Sequence, residues 1–256
     1  MIGRRGKKYM LRTRPAGLLV VLGTVLAGCA SRAARPGESP SALLIVVAGA
    51  GGDGAWRSSL VDGLRRGGVD SDVRIFAWGA PAPLFMLNLQ NDPIHRKAER
   101  ALAEQVRRAA HGSPLRPIYV VGHSAGCGVT LGALSLLDGE TVAEVVLLAP
   151  SVSPTYDLAP ALRHARQVHV FHSTRDTFWL SWRTGTFGTY DNVKTKAAGN
   201  VGFAHTDSLP PDLAAKVAQH AYDPAWKALG NDGGHFGPTA KRFSEKVLAP
   251  LLTAAQ

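Results

Sequence analysis

Cysteine is nearly missing from this chain, with two in 256 residues, Cys29 and Cys127. A fold held together by several disulfides is thereby excluded, and a domain of this length can bury enough core to do without them. Long hydrophobic runs are scarce as well. The apolar stretch 17–26 falls short of the ~20 residues that a membrane span needs. There is no internal repeat and no second candidate core, so one folded domain is expected. The chain has no nucleic-acid-binding module either. Its net charge of +10 suggests one, but six of its 29 basic and none of its 19 acidic residues lie in 1–28. That leaves 23 against 19, or +4, with no basic stripe, and no nucleic-acid partner is expected.

What the N-terminus does contain is a targeting pattern. Arg4, Arg5, Lys7, Lys8, Arg12 and Arg14 precede the apolar stretch, which ends in Leu26-Ala27-Gly28-Cys29. A basic start, a short apolar core and small residues at its end describe a secretory signal peptide. The last four residues resemble the lipobox of bacterial lipoproteins, in which the cysteine is acylated and the chain is cut just before it. The resemblance implies a signal over 1–28, lipidation of Cys29 and a lipid-anchored protein of the cell envelope. Residues 29–41, rich in Ser, Ala, Arg and Pro without periodicity, then read as a flexible tether to a domain over 42–256.

Within that domain, apolar β-runs alternate with helical patterns. Strands are expected at 42–48, 73–78, 118–121, 143–148 and 168–172, and helices at 54–66, 93–110, 125–137 and 241–252. Such alternation predicts an α/β fold with a mostly parallel sheet covered by helices on both faces, and a site at the C-terminal ends of the strands. The third run leads into Gly122-His123-Ser124-Ala125-Gly126. A serine between two glycines, where a strand breaks sharply into a helix, reads as a nucleophile elbow that lifts Oγ clear of its neighbours. Cys127, one turn on, reads as a small buried apolar residue.

Four features in this order resemble the α/β-hydrolase superfamily: a glycine-rich loop after the first strand, the Gly-His-Ser-Ala-Gly elbow, an acid after a later strand and a late Gly-Gly-His. The similarity covers about 42–253. It implies a serine hydrolase, esterase- or lipase-like, with Ser124, Asp176 and His235 as catalytic residues. Of the nine histidines, His235 lies in a Gly-rich loop before the last helix; His205 is the alternative base. His123 sits in the elbow, His95 and His111 flank a surface helix, and His220 falls in a helical segment. Asp176 follows a β-run through Ser-Thr-Arg, and Asp232 is the alternative acid. The resemblance places the oxyanion donors at the amides of Ala125 and Ala50, with Gly51 as the alternative to the latter. Ala48 stands where relatives carry a histidine.

The expected reaction is carboxylic ester cleavage through an acyl-enzyme, with a small-molecule or lipid ester as substrate and the membrane contacted through Cys29. No metal or organic cofactor is implied. The same triad supports amidase, peptidase or thioesterase chemistry, and a non-catalytic envelope lipoprotein using the fold for binding is the alternative of a different class. The short connection 150–167 leaves room for little or no lid. The segment 177–230 carries Phe178, Trp179, Trp182, Phe187, Tyr190 and Trp226, which are expected to wall the acyl side of the site rather than to fill core.

Overall fold

In a computed structural model, residues 41–52, 54–80, 87–88, 91–177, 184 and 188–254 are described. The signal over 1–28, Cys29 and nearly all of the tether lie outside them, as do Phe178, Trp179, Trp182 and Phe187.

The strands are β1 (Ala42–Val47), β2 (Ser71–Phe76), β3 (Ile118–His123), β4 (Val142–Leu148), β5 (Ala165–His172) and β6 (Val217–Ala221). They form one sheet in the order β2-β1-β3-β4-β5-β6, with every pairing parallel. The helices are α1 (Ala55–Arg66), α2 (Asp92–Gly112), α3 (Ala125–Leu134), α4 (Ala159–Leu162), α5 (Ala198–Val201) and α6 (Pro211–Ala214). A terminal helix, α7, is assembled from Lys241–Phe243, a π turn Ser244–Leu248 and Ala249–Thr253. The π turn runs up against Pro250, which has no N–H to continue an α-helical ladder and whose ring would crowd the carbonyl four residues back.

Alternation along the strands feeds two cores. In β1, Leu43, Ile45 and Val47 face α2, α3 and α4, whereas Ala42, Leu44 and Val46 face α1 and α7. With both faces covered, strands β1, β3 and β4 are buried at every position, which is why they read as continuous apolar runs. Helix α2 follows an amphipathic pattern. Asn91 caps it by accepting the N–H of Ile94 at 3.1 Å, and His95, Ala98, Leu102, Ala103 and Val106 form its buried stripe.

Because β3 lies on the other side of β1 from β2, the chain leaves β1 toward α1 on one face and leaves β3 toward α3 on the other. The C-terminal ends of β1 and β3 therefore border a crevice, the topological switch point at which doubly wound sheets bind ligands.

Four expectations need correction. His220 lies on edge strand β6, not in a helix: Val217-Ala-Gln-His-Ala221 carries a single β-branched residue, so its propensity is weak and pairing with β5 decides. His95 is buried, its ring stacked 3.8 Å from that of Tyr190. Tyr190 is core, with its hydroxyl donating to Glu99 Oε1 at 2.8 Å. Trp226 packs against Phe171 and Phe243 at 5.9 and 5.0 Å, on the α1/α7 side of the sheet. Tyr190 therefore fills core, whereas Trp226, half-buried, also lines a small pocket that Asp176 borders. The connection between β4 and β5 holds one four-residue helix, α4, as its length implied.

Candidate active site

Ser124 stands between β3 and α3 with φ 57° and ψ −125°, a conformation that a non-glycine residue holds only under constraint. The constraint is visible. Its N–H donates to Leu148 O at 3.0 Å, and its carbonyl accepts from Cys127 N–H at 3.0 Å and Ser151 N–H at 3.2 Å. The flanking glycines serve close approach: a Cβ on Gly126 would fall 2.4 Å from Ala48 O, and one on Gly122 would meet Thr130 Oγ1 at 2.9 Å. Around the turn Ala125 and Cys127 are fully buried, while Ser124 stays partly exposed. Burial pushes the Cys127 thiol far up, so it stays protonated.

Asp176 follows β5 through a turn closed by its N–H to Ser173 O at 3.1 Å. Asn200 donates to the carbonyls of both Ser173 and Asp176, each at 3.1 Å. His235 reaches the acid from the loop before α7, where Nδ1 donates to Asp176 Oδ2 at 2.6 Å. The two groups are 8 % and 3 % exposed, so the bond lies out of water, where a charge-assisted contact is strongest. With the proton on Nδ1, Nε2 is left as an acceptor. The loop is shaped by side-chain turns: Asn231 Oδ1 accepts Gly233 N–H at 3.0 Å and Asp232 Oδ1 accepts Gly234 N–H at 2.9 Å. Gly233, at φ 82°, packs where a Cβ would strike Arg175 and Ser173 at 2.8 and 2.9 Å. Asp232 is an exposed turn residue, and His205 is an exposed left-handed residue beyond α5.

One contact was not legible in the sequence. His123, 2 % exposed, donates through Nε2 to the backbone carbonyl of His235 at 3.0 Å. Its ring lies 4.8 Å from that of His235, and Trp56 and Phe236 flank it at 4.8 and 5.2 Å. The residue before Ser124 thus holds the loop that carries His235. Burial, reinforced by the neighbouring His235, pushes the His123 pKa down to about 3, so it is neutral here. Burial also lowers His95, His172 and His220.

These shifts have a definite sign. A histidine whose pKa is lower folded than unfolded binds fewer protons in the native state, so its stability contribution is complete above pH ~6.5 and shrinks as pH falls. At pH 4, His123 alone removes on the order of 3 kcal/mol. The expected result is a melting temperature that drops steeply between pH 7 and 4, with a shallower slope in His123→Gln. Equal slopes in both proteins would show that His123 is not the buried neutral group.

The loop after β1 completes the crevice. A Cβ on Gly49 would lie 3.2 Å from that of Ser124. The Gly49–Ala50 peptide is fixed by Gly52 N–H donating to Gly49 O at 2.9 Å, and the Ala50–Gly51 peptide by Asn88 Nδ2 donating to Ala50 O at 2.8 Å. Trp78 Nε1 ties down Ala48 O at 2.6 Å. Asn88, fully buried, is itself held, since His95 Nε2 donates to its backbone carbonyl at 2.9 Å. Ala50 is buried at the crevice, and Ala125 opens α3, where its N–H has no intrahelical acceptor. Among the described residues no group of three or more His, Cys, Asp or Glu could hold a metal ion.

A parallel sheet covered on both faces, with a strained serine turn at its switch point, defines the α/β-hydrolase fold. Comparison with solved structures agrees: the chain is similar to a "putative aryl esterase" from Burkholderia cenocepacia, with TM-score 0.51, 13% identity, and coverage of 87% of this chain and 93% of that one. Also similar are a carboxylesterase from Mesorhizobium loti, with TM-score 0.49, 16% identity and coverage of 85% and 90%, and a lipase/esterase from Lactobacillus plantarum, with TM-score 0.48, 12% identity and coverage of 78% and 84%. At 13% identity, the likeness to the first of these shows the fold alone. No protein-family model and no curated protein matches the chain.

Proposed function

We propose that this chain is an envelope-anchored serine hydrolase that cleaves carboxylic esters through an acyl-enzyme. The observation that carries the reading is the pairing of a strained, partly exposed Ser124 with a buried Asp176–His235 hydrogen bond, joined to the elbow by His123. In the proposed reaction, His235 Nε2 takes the Ser124 proton as Oγ attacks the ester carbonyl. The oxyanion accepts from the amides of Ala125 and Ala50, and the protonated His235 gives its proton to the departing alkoxide. Water then repeats the sequence on the acyl-enzyme, and Asp176 holds the imidazolium without taking its proton. The esterase names of the structural neighbours favour ester over amide as the first substrate class to assay.

A fluorophosphonate probe tests the class directly: the full chain should be labelled at Ser124, and an unlabelled, folded protein would overturn the enzyme reading. Asn88 offers a finer test. Asn88→Ala leaves the Ala50 carbonyl and the Ala80 N–H without their side-chain partner. A loop no longer held toward the oxyanion should lower kcat by about 10-fold or more, below the ~10²–10³ of losing a donor outright, with KM little changed. A rise in KM alone would assign Asn88 to substrate binding instead.

Anchoring at Cys29 is part of the proposal. Cys29→Ser should turn release from membranes that needs detergent into release by a high-salt wash, and a variant that still resists the salt wash would contradict lipidation.

A further inference from the structure

Parallel strands give the sheet two unlike edges. The C-terminal edge carries Ser124. At the opposite edge a cleft of about 170 Å³ is lined by Arg74, Arg108 and Arg116 together with Leu43, Ser113 and Ile118. We propose that this cleft binds the phosphate of an anionic phospholipid headgroup and seats the domain on a membrane surface.

The donors fit that ligand. Arg116 spends Nη2 on the carbonyl of Ala42 at 2.6 Å and keeps Nη1 3.9 Å from Asp72, while its buried Nε has no hydrogen-bond partner among the described residues. Arg74 meets the same carboxylate oxygen of Asp72 at 3.3 Å. Asp72 thus faces two guanidiniums. Arg108, whose side chain is 74% exposed, meets Glu104 one turn back on α2 at 3.3 Å. The carbonyl end of α2 works against an anion here, and the cleft meets it with three guanidiniums. Planar guanidinium forks match phosphate oxygens better than an ammonium does.

The surroundings favour a lipid over a free anion. Leu115, in the loop between α2 and β3, is 100% exposed, and Leu136, at the end of α3, is also exposed, with its carbonyl held by Arg107. Arg65 and Arg66 close the last turn of α1 at this edge. Leucines standing free among arginines are what an interface of headgroups accommodates. The chain also enters the domain here: Ser41, held by Asp70 through its N–H and hydroxyl, leads into β1 beside the cleft. A tether of about a dozen residues reaches at most ~40 Å. With Cys29 in the bilayer, the arginine edge meets the surface and Ser124 faces away from it. That orientation rests on the proposed anchor; the phosphate chemistry does not.

The test uses residues 31–256, whose described part contains both cores and which lack the basic signal and Cys29. Sedimentation with vesicles should show binding when phosphatidylglycerol is mixed into phosphatidylcholine and none with phosphatidylcholine alone. Arg74→Gln or Arg108→Gln should each weaken it about 5-fold, and the pair about 25-fold. Lys194→Gln with Lys227→Gln removes equal charge elsewhere and should leave binding nearly intact. Equal loss in the lysine pair, or no preference for anionic vesicles, would overturn the site. Phosphate raising the melting temperature of wild type but not of the arginine pair, with vesicle binding equal in both, would mark a free-anion site and overturn the membrane assignment. Fluorophosphonate labelling should persist in every variant. A wild type that binds vesicles but does not label would reject the hydrolase reading and leave this one standing.

Discussion

Ser124→Ala is expected to abolish fluorophosphonate labelling and to lower ester turnover on the order of 10⁵-fold, since a base and an acid without their nucleophile retain little catalysis. The fold should survive. Alanine has the same Cβ, and the bonds that hold the elbow in its strained conformation run through the backbone to Leu148, Cys127 and Ser151. A p-nitrophenyl ester series on wild type and variant, with melting curves as control, measures both. Activity retained with the fold intact would place the nucleophile elsewhere.

Asp176→Asn is expected to lower kcat by about 10⁴-fold with little change in KM. The carboxylate accepts from His235 Nδ1–H at 2.6 Å, which makes Nε2 the acceptor nitrogen of the ring. An amide at the same place offers an N–H toward Nδ1, stabilises the other tautomer and puts the proton on the nitrogen that accepts one in the proposed reaction. The substitution is nearly isosteric, and Asn200 binds the backbone carbonyl of residue 176 rather than its side chain, so the turn should hold. Asp232→Asn should cost little, because Asp232 is exposed and serves the turn at Gly234. If Asp232→Asn were the more damaging change, the acid would be misassigned.

Different parts of the molecule were legible to different degrees. Strands buried on both faces, such as β3 and β4, stand out as apolar runs, and α2 reads as a helical pattern over 93–110, within the Asp92–Gly112 it occupies. Edge strand β6 does not, because its pairing with β5 outweighs a sequence of small and polar residues. His95 was hidden for a related reason: a histidine on a charged helix reads as surface until Tyr190, 95 positions later, stacks on it. The same holds at the candidate site. The glycines around Ser124 mark the elbow locally, but the contact from His123 to the carbonyl of His235 spans 112 positions, and the one from Asn88 to Ala50 spans 38. Neither has a local signature in composition or period.

The sequence by itself determined five of the six strands, the helices around them and the serine turn, because these depend on backbone propensity and short-range spacing; Asp176 and His235 were singled out as partners of Ser124 by what the family resemblance implies. The tertiary structure alone decided that all six strands run parallel with the turn at the switch point. It brought Asp176 against His235, buried His123 and Asn88 as supports, and gathered three arginines from β2, α2 and the loop before β3 at the opposite edge. Those outcomes depend on which distant segments share a small, dry volume, and packing over the whole chain sets that.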